Sequence, residues 1–117
     1  MIGRRVPKPG DVYWLDPNPV AGHEMRDRHR WVVITPVEIN RLGLVTLVPI
    51  TSGGAYARLR GLTVPISGHD TTGMAVCHQM RTFDLYARSD AQYIETLDVQ
   101  TTREIINRVT SVIDPAP

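Results

Sequence analysis

Up to Phe83 the chain alternates between short apolar, β-branched runs and clusters of Gly, Pro, Asp and Ser. Runs of that kind form strands, and the clusters form turns. The turn Pro9-Gly10-Asp11 precedes a first strand, Val12-Tyr13-Trp14-Leu15. A second strand covers Trp31 to Thr35. Pro36 can open a short helix through Leu42, because its missing N–H costs nothing in a first helical turn. Gly43 stops that helix, and Leu44 to Ile50 forms the next strand. Leu62 to Ile66 is another, in which Pro65 argues for a position at a sheet edge. A turn-rich connection, Ser67 to Gly73, leads into Met74 to Phe83, which fits one strand or two with a bend. At the C-terminus the period changes. Ile105, Ile106, Val109, Val112 and Ile113 fall on one helical stripe. Asp98 or Thr101 can cap its start, Thr101 with Glu104 matches a capping box, and Pro115 ends it. The expected fold is mainly β, five or six short strands with a C-terminal helix. It suggests a small, strongly bent barrel, although strand period alone also allows a sandwich.

Asp16 to His29 fits no element. It holds two prolines, a glycine and a dense set of charges and imidazoles, so it is neither a helix nor a paired central strand. Long ordered loops in small domains often carry function.

The chain has 117 residues, which predicts one domain, 1–117, with residues 1–8 as a basic arm and 98–113 as the helix. Cys77 is the only cysteine, which excludes an intrachain disulfide and a cysteine-based metal site. The four histidines include no pair at helical i, i+4 spacing, so no zinc motif and no cofactor are expected. No apolar run approaches the ~18 residues of a membrane span, and the N-terminus lacks the apolar stretch of a signal peptide. A cytoplasmic protein with no membrane partner is expected. The net charge of +1 does not by itself announce nucleic-acid binding. Twelve of the 13 basic residues are arginine, the better fork for phosphate. A GC-rich genome produces the same bias, so arginine position is more informative than arginine number.

Three segments could carry chemistry. Gly22 to Arg30 packs a glutamate, two imidazoles and three guanidiniums into nine residues. Metal-free cleavage of a phosphodiester needs a base, an acid and a cation for the charged phosphorane. The same residues would also suit a solvated loop with weak surface ion pairs. Thr51-Ser52-Gly53-Gly54, at a strand end, could bring backbone N–H groups to a phosphate or form a plain turn. In Val76 to Arg81, strand alternation would put His78 and Met80 on one face and Cys77, Gln79 and Arg81 on the other. A buried, inert Cys77 is favoured over a nucleophile, because an apolar strand does not stabilise a thiolate.

These pieces, in order, resemble the MazF/PemK/Kid family of type II toxins, most closely its PemK/Kid branch. The resemblance spans roughly residues 6 to 113. It rests on Pro9 to Leu15, Asp16-Pro17 to Glu24, Arg30 to Pro36, Val48 to Gly54, Thr71-Thr72-Gly73, Gln79 to Thr82 and Ala87-Arg88. It implies a CcdB-like, SH3-like barrel that forms a homodimer. It also implies a metal-independent, sequence-specific endoribonuclease acting on single-stranded RNA, with a cognate antitoxin as partner. Carried over position by position, His23, Glu24, Arg30 and Thr51 match the catalytic residues of the PemK branch, with Arg28 as the alternative to Arg30. His78 stands where the Kid-type site has aspartate, and Val76 where it has arginine. His78 has either taken over proton transfer or marks a degenerate member that binds RNA, antitoxin or gyrase without cutting. Arg28, Ser52, Gln79 and Arg81 are expected along the RNA path.

Overall fold

The computed structural model describes residues 5–52 and 61–115. Gly53 and Gly54, the glycines of the hydroxyl–glycine motif, lie outside them, as do residues 1–4 of the basic arm. The described elements are β1 Asp11–Leu15, β2 His29–Val33, α1 Val37–Asn40, β3 Val45–Thr51, β4 Thr63–Ser67, β5 Thr72–Val76, a 3-10 turn Cys77–Gln79, β6 Arg81–Phe83, β7 Gln92–Thr96 and α2 Val99–Ile113.

Alternation along β1, β2 and β3 divides their side chains between two cores. Val12, Val32 and Val48 pair across the three strands and face α2, whose Ile105 and Val109 cover them. Tyr13, Leu15, Trp31, Val33 and Leu47 point the other way and pack under Phe83, Leu85 and Ala91. Trp31 meets Phe83 edge-on at 5.1 Å between ring centres, an arrangement that adds roughly 0.5–1.5 kcal/mol beyond burial.

All pairings are antiparallel, in the order β4-β5-β3-β2-β1-β7. One edge of β3 serves two partners, β6 at Val45–Leu47 and β5 at Ile50–Thr51. The segment from Met74 to Phe83 is thus two strands with the 3-10 turn between them. That turn removes the expected alternation: Cys77 is buried and His78 exposed, but strand faces no longer apply to them. Pro65 lies in β4, at the sheet edge, as its missing N–H requires.

The sheet is barrel-like, but among the described residues its ladder is not closed, because the order ends at β4 on one side and β7 on the other. The Glu95 side chain of β7 reaches across to the β4–β5 turn, where both carboxylate oxygens accept backbone N–H groups. β7 itself is absent from the sequence expectation. Gln92 and Glu95 break its apolar alternation, although Tyr93, Ile94 and Thr96 are all strand formers.

Asp98, rather than Thr101, caps α2. Its Oδ1 accepts the Thr101 N–H at 2.6 Å, the bond expected three residues into a helix. Thr102, Ile105 and Val109 form the buried stripe, whereas Val99 and Ile113 stay exposed. At the other terminus, Arg5 joins the fold by a two-pronged pair with the buried Asp11 carboxylate, at 2.9 and 3.2 Å. Among the described residues no helix is long and apolar enough to cross a membrane.

Candidate functional site

Beyond the Val12–Val32–Val48 row, the same register lines up Trp14, Arg30 and Ile50. This next row lies on the same face of the sheet but reaches the end of the α2-facing core. Arg30 therefore sits inside β2, paired on both sides, rather than just before the strand. A pocket of about 380 Å³ opens over this row, lined by Trp14, Arg28, Arg30, Ser52, Asp70 and Thr72 among others. Arg30 Nη1 donates to the Asp70 carbonyl and to Thr71 Oγ1, the latter at 3.0 Å. Among the described residues, Nη1 is the one nitrogen of this guanidinium that is held. Arg28 stands 3.7 Å from Asp90, with both side chains partly exposed, a pair that constrains it little.

The Asp16–Arg28 loop is held at its root, middle and end. At its root, Arg81 Nη1 donates to the Pro17 carbonyl at 3.1 Å and Arg88 Nη1 to the Asp16 carbonyl at 2.9 Å. Both guanidiniums lie over the Phe83 ring, at 4.9 and 4.5 Å. At its middle, the Gln79 amide donates to the His23 carbonyl at 3.0 Å and accepts the Met25 N–H at 3.4 Å. Met25 is buried beside it. At its end, the His29 ring nitrogens face the carbonyls of Arg26, at 2.9 Å, and Ile50, at 3.2 Å. Carbonyls only accept, and a neutral ring donates to one of them at a time. His29 therefore works as a strut between loop and sheet.

The sequence-derived residues fall into two groups. Arg28, Arg30 and Ser52 line the pocket, and Thr51 precedes Ser52 at the end of β3. His23 and Glu24 are exposed at the loop tip, where Glu24 Oε1 accepts the Ala21 N–H at 2.9 Å. Gln79 brings that tip beside the 3-10 turn carrying His78. None of His23, Glu24 and His78 lines the pocket. Gln79 and Arg81, expected along an RNA path, each direct hydrogen bonds to the loop backbone.

Cys77 is fully buried, and burial pushes its thiol up to about 11, so it carries no thiolate near neutrality. Among the described residues no three His, Cys, Asp or Glu side chains converge as metal ligands would. Sequence reasoning missed Trp14, Asp70, Thr72 and Glu95 as parts of this region. Trp14 had a usable signal, because it shares the parity of Val12 and lies at the strand end. Asp70 enters through its backbone carbonyl, for which no sequence signal exists.

The arrangement offers a cation, hydroxyl groups and an aromatic wall in one cleft, with titratable groups on an adjacent loop. A family model for the PemK-like, MazF-like toxins of type II toxin-antitoxin systems matches residues 8–113. The Escherichia coli endoribonuclease PemK is 33% identical over 107 residues, covering 89% of this chain and 80% of that protein. The Escherichia coli endoribonuclease toxin ChpB is 32% identical over 108 residues, covering 90% and 92%. Among solved structures, MazF from Deinococcus radiodurans superposes with a TM-score of 0.81 at 25% identity, over 93% of this chain and 97% of that one. With its strand order, its barrel-like sheet and its terminal helix, this chain belongs to the PemK-like, MazF-like toxins of type II toxin-antitoxin systems.

Proposed function

We propose that the protein is a toxin endoribonuclease that cuts single-stranded RNA without a metal ion and is held in check by a cognate antitoxin. The observation that carries this reading is the Arg30 pocket. Among the described residues the guanidinium is fixed at one nitrogen, in a cleft beside Arg28 and Ser52. Relatives that are a third identical and named endoribonucleases support it. In the proposed reaction a base takes the proton of an RNA 2′-hydroxyl, and the oxygen attacks the adjacent phosphorus in line. The bond to the 5′-oxygen breaks while an acid protonates that leaving group. The products are a 2′,3′-cyclic phosphate and a 5′-hydroxyl. His23, Glu24 and His78 are the acid and base groups within reach of the loop tip. Arg30, with Arg28 in the same pocket and Arg81 at the root of the loop, offsets the charge of the phosphorane, and Thr51 hydrogen-bonds a phosphate oxygen. Ser52 and Gln79 complete the RNA path, with unstacked bases giving the sequence preference.

Family membership supports an antitoxin as partner, and the cytoplasm, where mRNA is found, as the site of action. One observation favours a second reading. Val76, where the Kid-type site has arginine, is apolar and fully buried, so that position supplies no cation. A degenerate member would bind RNA or antitoxin without cutting. Long single-stranded RNA incubated with the protein in EDTA separates the two. New 5′-hydroxyl ends, labelled by a kinase without prior phosphatase treatment, are expected. Intact RNA that stays bound would establish the degenerate reading. Activity abolished by EDTA and restored by magnesium would contradict the metal-free mechanism.

A further inference from the structure

Glu95 lies on β7, 8% exposed, and its carboxylate faces the turn between β4 and β5 rather than the pocket. Oε1 accepts the His69 N–H at 2.9 Å, and Oε2 accepts the Asp70 N–H at 2.8 Å. Burial pushes this carboxyl up. The bonds from Thr71, Asp70 and His69, with the nearby His69 imidazole, outweigh burial and hold it below its ordinary value. Gly68 belongs to the same fit, because a Cβ there would stand 2.7 Å from Oε1. The Gly68 N–H also donates to the Thr71 carbonyl at 2.7 Å, which tightens the turn on itself. The turn is therefore fixed from behind by one ionised side chain.

Its front is what holds Arg30. The Asp70 carbonyl and Thr71 Oγ1 both receive Arg30 Nη1. Asp70 is bonded on both sides of one residue, its N–H to Glu95 and its carbonyl to Arg30. Thr71, fully buried, likewise connects to both. We propose that Glu95 is a positioning residue, which fixes the 68–71 turn so that its carbonyl and hydroxyl aim the Arg30 guanidinium into the pocket. The proposal rests on the role given to Arg30 above.

The test uses the full chain with Glu95→Gln, which keeps the shape but offers one acceptor oxygen to two N–H donors. Two measurements are made. The first is the Arg30 Nε–H resonance in RNA-free protein, expected to shift or broaden. The second is cleavage kinetics. Turnover is expected to fall roughly ten- to a hundredfold, the effect of a misaimed group, with KM within about twofold. In an Arg30→Ala background, Glu95→Gln is expected to add no further loss. Gly68→Ala, whose Cβ would stand 2.7 Å from Glu95 Oε1 and so displaces the carboxylate while sparing the Thr71 hydroxyl that receives Arg30, is expected to behave the same way and serves if Glu95→Gln does not fold. An unchanged Arg30 resonance, or losses that multiply with Arg30→Ala, would overturn the proposal. If wild-type protein cuts no RNA, the endoribonuclease reading fails, and the Arg30 resonance alone decides the role of Glu95.

Discussion

Arg30 and Gln79 use similar donors in opposite ways. Arg30 lines the pocket and, among the described residues, commits one nitrogen to the 68–71 turn. Gln79 commits both ends of its amide to the loop, at the His23 carbonyl and the Met25 N–H. Gln79→Ala is therefore expected to loosen the loop before RNA is present. Of the two hydrogen bonds lost, the part-buried one from Met25 is worth about 1 kcal/mol and the exposed one to His23 less. Hydrogen exchange should quicken in residues 18–27 of the RNA-free protein, while the β3 amides keep their protection. Unchanged exchange in the loop would show that Gln79 does not hold it. Sequence reasoning found both residues, through the density of charge before Trp31 and through the pattern around Cys77. It could not assign Gln79 its work, because that depends on which backbone groups the folded loop presents. The burial of Cys77, which pushes its thiol up to about 11, was legible from its apolar neighbours, whereas its place in a 3-10 turn rather than a strand was not.

At the level of elements, the contact between β3 and β5 sets the rim of the pocket. Gly73, at φ +131°, lies so close to the end of β3 that a Cβ would stand 2.3 Å from the Thr51 carbonyl oxygen. Gly73→Ala must push β5 away from Thr51 and, with it, Ser52. It is expected to cost more than about 1 kcal/mol, a fall of roughly 4 °C or more in Tm. Gly43→Ala is the control, because Gly43 also has a positive φ, +112°, but a Cβ there meets nothing within 4 Å. Equal losses from the two substitutions in a thermal melt would show that the clash with Thr51 has no effect. Most strands were legible from runs of β-branched residues. β7 was not, because Glu95 faces inward there to do electrostatic work, which breaks the apolar alternation that marks a strand. The long loop was legible as a loop from its prolines, but its anchors, Arg81, Arg88 and the Phe83 ring, come from a distant segment that local pattern cannot reach.

Taken whole, the molecule buries two cores and still leaves apolar side chains outside. Leu42 and Leu44, after α1, and Val99 and Ile113, on α2, are all exposed. The surplus fits a homodimer, which would cover part of it and place two Arg30 pockets in one particle. Sedimentation at micromolar concentration is expected to give twice the 13.1 kDa chain mass. A monomer with full cleavage activity would contradict this. A mainly β fold with a C-terminal helix was legible from the strand runs and the change of period, but barrel against sandwich was not, because strand period is the same in both. The open ladder bridged by Glu95 was not, because it depends on pairing between distant strands.

The central claim is that Arg30 acts on the transition state of RNA cleavage rather than on RNA binding. It is tested most directly by single-turnover cleavage and RNA affinity measured together for wild type, Arg30→Ala and Arg28→Ala. Loss of a donor that stabilises developing charge typically lowers turnover about 10²-fold or more. Arg30→Ala is expected to show that loss with Kd changed only a few-fold, and Arg28→Ala a smaller one. Near-wild-type turnover in Arg30→Ala, with Arg28→Ala inactive, would contradict the account and move the catalytic cation two residues toward the loop.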